Sequence, residues 1–277
     1  MDITKAYRDR CPSPDNARIE WCRSGGWLKM TKRWVKLSEV LLRGLEIAVT
    51  VEQTPVAGYV ARLRGARPDA TPVEIIAVLE KRYLATVTGT GAAVGGVAAA
   101  PAIGAVGALA LSGGETVVFL QATALFALAV AEVHGIRIEE VERRRTLVLA
   151  VVVGDHGARL VEKMTAQAAG HWAELLPEVI PMSSIAAVNN VLSPWFVTKY
   201  GRTRGIVVMS RVAPFGVGVV VGACGNRALG RTVVNTSRRV FGAPPACFPG
   251  CDFVTTVTTA HRVAAGRNQD NTAAPSG

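Results

Sequence analysis

From Tyr83 to Ala131 the chain carries a single charged residue, Glu115. A stretch of that length without charge has to satisfy its backbone polar groups internally and hide its apolar side chains, which points to packed helices. Pro101 divides the run near its middle, and Ser112-Gly-Gly-Glu115 breaks it again. The pattern predicts a helical hairpin with arms Tyr83–Gly114 and Thr116–Ala131 and its tip at Ser112–Glu115. Lys81 and Arg82 precede the pair, and Arg137 and Arg143, Arg144 and Arg145 follow it. A bilayer-crossing helix needs about 20 apolar residues. The first arm is long enough, although Pro101 and its glycines weaken it, and the second falls just short. Gly91 and Gly95 form a G-x-x-x-G pair, and Ala92, Gly96 and Ala100 repeat the spacing. Small residues at that interval let two helix backbones approach closely. If the hairpin inserts, its basic flanks place both ends on the cytoplasmic side. The competing expectation is the central hairpin of a soluble bundle.

A second uncharged run covers Val212–Asn226. Within and beyond it, Gly218, Gly222, Asn226 and Gly230 recur every four residues, so on a helix they share one stripe. Three glycines admit a neighbouring backbone, and Asn226 can hydrogen-bond across the contact. Each glycine costs about 1 kcal/mol of helix propensity relative to alanine, so close packing must offset the loss. Arg227, Arg231, Arg238 and Arg239 follow on a neighbouring face. Upstream, Trp195, Phe196 and Tyr200 are interleaved with Lys199, Arg202 and Arg204. Aromatic rings beside cations suit a headgroup layer, and equally suit core packing with a solvated rim. Pro101-Ala-Ile-Gly104 and Pro214-Phe-Gly216 sit at comparable places in the two uncharged runs.

Charge is uneven along the chain. The net value of +10 divides into +2 over residues 1–180 and +8 over residues 181–277. The last third therefore suits an anionic partner. A lipid surface is the expected one, through Lys199, Arg202, Arg204, Arg227, Arg231, Arg238 and Arg239. A membrane protein or a second copy of the chain is a further candidate. A soluble scaffold that holds nucleic acid through Arg227, Arg231, Arg238 and Arg239 is the alternative, but no recognised nucleic-acid motif accompanies the charge. Nearly half the residues are hydrophobic while only 6% are aromatic, so the apolar mass is Ala, Val, Leu and Gly.

The remaining segments predict an all-α, multi-helix bundle over residues 34–242. Residues 1–33 lack a period and are expected to be a flexible arm, with no apolar leader segment at their start. Trp34–Arg64 predicts two helices interrupted around Pro55 and Gly58. Thr71, Pro72 and Glu74 form the signature of a helix start, with Thr71 as N-cap and Glu74 returning to it. A helix is expected over Glu139–Val153, a turn at Asp155-His-Gly157, and an amphipathic helix over Leu160–Leu176. Residues 243–277, polar and rich in Gly, Pro and Thr, are expected to be a largely disordered tail.

Chemistry-bearing patterns are sparse. The glycine-rich Thr88–Val97 lacks the G-x-x-x-x-G-K-[ST] lysine that would reach phosphates. Neither G-x-S-x-G nor H-E-x-x-H occurs, and the four histidines are scattered. The five cysteines have no zinc spacing and are expected to be free thiols. The expectation is a chain without catalytic, cofactor-binding or metal-binding residues.

Four segments together resemble the EcsC-like family, named after a protein encoded beside an ABC transporter. They are Pro101-Ala-Ile-Gly104, Phe196-Val-Thr-Lys-Tyr200, Pro214-Phe-Gly-Val-Gly218 continuing through Gly222 to Asn226, and Phe241-Gly-Ala-Pro-Pro245. The resemblance covers roughly residues 72–249. It implies a helical, membrane-associated protein with no established activity and no catalytic residues to carry over. The expected function is that of an accessory protein on the cytoplasmic side of the cell membrane, supporting a transporter or envelope process.

Overall fold

The computed structural model describes residues 26–98, 104–164, 180–210 and 217–249. Within them the secondary structure is helical, with eight helices and no strand. These are α1 (Gly26–Val49), α2 (Gln53–Gly65), α3 (Pro72–Ala98), α4 (Gly104–Val133), α5 (Val141–Val153), α6 (Asp155–Met164), α7 (Met182–Ser210) and α8 (Val217–Phe241).

The centre of the bundle is the second half of α4. Phe119, Leu120, Ala124 and the run Phe126–Ala131 are all buried, as expected of a helix apolar on every side. Tyr83 of α3 stacks on Phe126 at 4.8 Å and lies tilted against Phe119 at 6.5 Å. Its hydroxyl, buried, is hydrogen-bonded to Thr123 Oγ1 at 2.9 Å, so the polar tip of the ring is satisfied. Gly44 lets α1 close on α4, where an added Cβ would stand 3.1 Å from Leu120 Cδ1. The hairpin therefore exists, but it turns elsewhere than expected. Helix α4 runs unbroken through Ser112–Glu115, and α3 and α4 join through residues 99–103, which include Pro101. Gly113 and Gly114 do not end the helix because its other residues hold it against α1, α2 and α3.

Local signals account for most boundaries. Thr71 and Glu74 form a reciprocal cap: Thr71 N–H donates to Glu74 Oε2 at 2.8 Å, and Glu74 N–H donates to Thr71 Oγ1 at 3.3 Å. Pro55 sits in the first turn of α2, where its missing N–H costs nothing. Helix α1 starts at Gly26, inside the stretch expected to be a flexible arm. The turn between α5 and α6 is at Gly154, at φ 82°, so Asp155, His156 and Gly157 open α6 rather than forming the turn. The segment 165–179, covering most of the amphipathic helix expected to end at Leu176, lies outside the described residues.

Helix α5 is held to α7 by polar contacts. Asn189 accepts from Thr146 Oγ1 at 2.8 Å and donates to Glu142 Oε2 at 2.8 Å. Lys199 Nζ donates to the carbonyl of Val153, the last residue of α5, at 3.0 Å. At the far end, α8 stops at Gly242, at φ 75°, whose N–H donates to Arg238 O at 3.0 Å. Residues 243–249, assigned by composition to the tail, continue back over the bundle. Phe248 lies under the Arg64 guanidinium at 4.0 Å, and Pro249 faces Gly135.

Candidate functional site

Among the described residues the most extensive helix contact is between α3 and α8, and glycines make it possible. A Cβ on Gly91 would collide with the carbonyl oxygen of Gly222 and lie 2.7 Å from Asn226 Nδ2. One on Gly95 would collide with the carbonyl oxygen of Gly218 and lie 3.0 Å from Val219 Cα. Gly230, on the same stripe, faces Val87 and Leu84, whose methyl carbons would be 2.9 and 3.0 Å from its Cβ. The two G-x-x-x-G pairs thus oppose each other, backbone to backbone.

Asn226, fully buried, closes this contact. Its Nδ2 donates to Val87 O at 2.9 Å and to Glu115 Oε1 at 2.6 Å. Glu115 is itself 4% exposed. One side-chain amide therefore ties α8 to α3 and α4. A buried carboxylate needs such donors, because leaving it unpaired costs several kcal/mol.

Beyond this polar node the three helices continue without a charged residue: 88–98 on α3, 104–114 on α4 and 217–225 on α8. Gly95 against Gly218 and the short α3–α4 connection bring these ends together. Val97, Leu111, Val219 and Val220 are exposed there, Val220 by 62%. Cys224, a free thiol, is exposed on the same segment of α8. Pro101 and Pro214 both fall in the connections entering this end, 99–103 and 211–216, outside the described residues.

The cations expected to meet an anionic surface divide into groups. Arg227 and Arg231 are exposed on α8 just past the node and form no ion pair among the described residues. Arg238 instead makes a bidentate pair with Glu80, through Nε at 2.6 Å and through Nη2. The hydrogen bonds and charge of Glu80 raise the guanidinium pKa further. Arg239 pairs with Asp155 at 3.1 Å. Lys199 is spent on the end of α5 and lies over Trp195 at 5.3 Å. The side chains of Arg202 and Arg204, on α7, lie outside those described. Of the expected cations whose side chains are described, Arg227 and Arg231 are the ones left without an ion pair among the described residues.

No family model, curated protein or solved structure matches the chain.

Among the described residues, no group of three or more His, Cys, Asp or Glu side chains is placed to hold a metal. His156 stacks on Trp195 at 5.6 Å. A cavity of about 200 Å³ lies between α2, the end of α4 and Phe248-Pro249, and is lined by Arg64, Arg137 and Glu132. Gln53 Nε2 holds Glu132 at 2.9 Å. Among the described residues one segment, Gly113–Val133, is long and apolar enough to cross a membrane, and most of it is buried inside the bundle.

The polar node is hidden in the sequence because Ser112-Gly-Gly-Glu115 reads as a turn. The signal was present: a lone acid and a lone Asn226, each inside an otherwise uncharged run, are natural partners. Nothing in the spacing pairs Arg238 with Glu80 or Arg239 with Asp155, since these contacts depend on how helices distant in sequence cross.

Proposed function

We propose that the chain is a non-catalytic, membrane-associated helical accessory protein of the EcsC-like type its motifs resemble. It is held on the anionic cytoplasmic face of the cell membrane and supports a transporter or envelope process. The observation that carries this reading is the uncharged end of α3, α4 and α8. It leaves Val97, Leu111, Val219 and Val220 exposed, and Arg227 and Arg231, exposed and without an ion pair among the described residues, follow on α8. Apolar contact combined with basic residues holds a protein on an anionic leaflet better than either does alone.

Co-sedimentation with vesicles tests it. The full chain binds vesicles of mixed zwitterionic and anionic phospholipid, and binds purely zwitterionic vesicles more weakly. Each surface arginine contributes about 1 kcal/mol near such a leaflet. Replacing Arg227 and Arg231 with Gln therefore weakens binding roughly 30-fold. A chain that ignores both vesicle types but retains nucleic acid through the same arginines refutes the membrane reading.

A further inference from the structure

The cavity of about 200 Å³ is built from three parts of the chain. Arg64 comes from α2, Glu132 and Arg137 from the end of α4 and the loop that follows, and Phe248 and Pro249 from the returning strap 243–249. Each is held in place. Gly135 turns the chain at φ 77°, and Ile136 and Ile138 are then buried on either side of Arg137, which stays exposed. Pro249 closes over that turn, since a Cβ on Gly135 would stand 2.8 Å from its Cγ. The Phe248 ring lies against the Arg64 guanidinium at 4.0 Å. Such a contact uses the cation's charge and none of its N–H donors. Glu132 is oriented by Gln53 Nε2, which donates to its Oε2 at 2.9 Å.

These polar groups are positioned but unsatisfied. The side chains of Arg64 and Arg137 make no ion pair and no hydrogen bond among the described residues, although a carboxylate lines the same cavity. Oε1 of Gln53, the residue that orients Glu132, is buried without a hydrogen-bond partner among the described residues. A buried acceptor left without a donor is costly. The cavity therefore offers two sets of guanidinium donors, acceptors on and beside Glu132, and an apolar wall that includes Val60 and Phe248.

Charge decides among ligands. Two guanidinia and one carboxylate sum to +1. A neutral molecule leaves both guanidinia bare, and a phosphate ester, near −2 at neutral pH, overshoots and faces Glu132. A monocarboxylate brings the sum to zero, and its planar head matches the guanidinium fork. A hydroxyl on the same molecule can donate to Glu132. The volume is below the 300–1,000 Å³ of sites for drug-sized ligands, so the molecule is small. It is also free rather than part of a lipid headgroup. Eighteen residues of α4 separate Gly114, in the uncharged segment, from Glu132, about 27 Å along the helix.

We infer that this cavity binds a small soluble hydroxycarboxylate, its carboxylate held by Arg64 and Arg137 and its hydroxyl donating to Glu132. The site is independent of the membrane reading and survives its failure.

Methyl resonances of the full chain, isotope-labelled at alanine and valine, test it with mandelate as the probe. Its ring current shifts the methyls of Ala57, Val60 and Ala61 on titration and leaves those of Val220 unmoved. Phenylacetate, the same molecule without the hydroxyl, binds several-fold more weakly. Arg137→Gln weakens mandelate binding about tenfold or more, as expected for loss of a charged hydrogen bond. Arg64→Gln does the same from the other side of the cavity, and both variants keep the parent's circular dichroism spectrum. Arg62→Gln, two residues from Arg64 and so on another face of α2, leaves binding unchanged. Glu132→Met removes the acceptor and closes the gap between the two probes. Mandelate that moves no methyl at the cavity overturns the inference. So does an equal loss in Arg62→Gln, which would make the binding a matter of general surface charge. Tighter binding of inorganic phosphate than of mandelate at the same methyls would overturn the ligand class.

Discussion

Two glycines on one helix, two residues apart, separate packing from propensity. Gly89 is exposed on α3, and a Cβ there would meet nothing within 4 Å, whereas one on Gly91 would strike the backbone of α8. Alanine at position 89 gains helix propensity of about 0.5–1 kcal/mol with no steric penalty. Alanine at position 91 gains the same propensity but must push α3 and α8 apart, because the obstacle is a carbonyl and not a flexible side chain. Overpacking of that kind costs about 1–3 kcal/mol or more. We expect Gly89→Ala to raise the thermal midpoint and Gly91→Ala to lower it, measured side by side by circular dichroism. A midpoint for Gly91→Ala at or above that of the parent would mean that the two helices are not in backbone contact. Asn226 makes a related case. Asn226→Ala removes the donor shared by Val87 O and Glu115 Oε1. Loss of two hydrogen bonds, one of them to the buried Glu115 carboxyl, together with the void, costs about 2–4 kcal/mol. Denaturant titration should show the midpoint falling with the slope unchanged.

At the level of the element, the start of α3 depends on pH. The hydrogen bonds from the backbone and hydroxyl of Thr71 hold the Glu74 carboxyl below its ordinary pKa. A carboxylate with a depressed folded-state pKa contributes its stabilisation above the unfolded value, and loses it as pH falls through the folded value. Glu74→Gln should therefore melt below the parent at neutral pH, with the gap closing as the solution is acidified past the carboxylate range. A gap independent of pH would assign the effect to helix propensity instead. This helix start was legible because Thr71, Pro72 and Glu74 act within one turn. The α3–α4 turn was misplaced for the opposite reason. Locally, Ser112-Gly-Gly-Glu115 is a better breaker than a lone proline, but tertiary contacts hold α4 together and the amide of Asn226, distant in sequence, receives Glu115. Helix type and the glycine stripes were readable from period and spacing. The partners of Arg238 and Arg239 were not, since an ion pair across two helices leaves no periodic trace.

For the molecule as a whole, the polar contacts between helices that the described residues show lie at and beyond the Asn226–Glu115 node, away from the uncharged segments. The Arg238–Glu80 and Arg239–Asp155 pairs and the strap ending in Phe248-Pro249 bind α8, α3, α6 and α2 away from the uncharged end. Among the described residues, the uncharged segments of α3 and α8 meet at Gly91, Gly95, Gly218 and Gly222, so the outer surface of α8 can change without disturbing that contact. Val220, 62% exposed, contributes little to folding, and Val220→Asp should leave the unfolding free energy within about 0.5 kcal/mol of the parent. In lipid the same substitution places a carboxylate where a valine sat, at a cost of about 2.5–3.5 kcal/mol near the middle of a membrane and less toward its surface. Vesicle affinity should accordingly fall by roughly ten- to a hundredfold while the circular dichroism spectrum stays the same. An exposed control at the other end, Val141→Asp on α5 (46% exposed), should change neither quantity appreciably. If both variants weaken vesicle binding equally, the loss comes from net charge and the uncharged end is not the contact surface. If only Val220→Asp does, the separation of a folding end from a contact end is a property of this bundle.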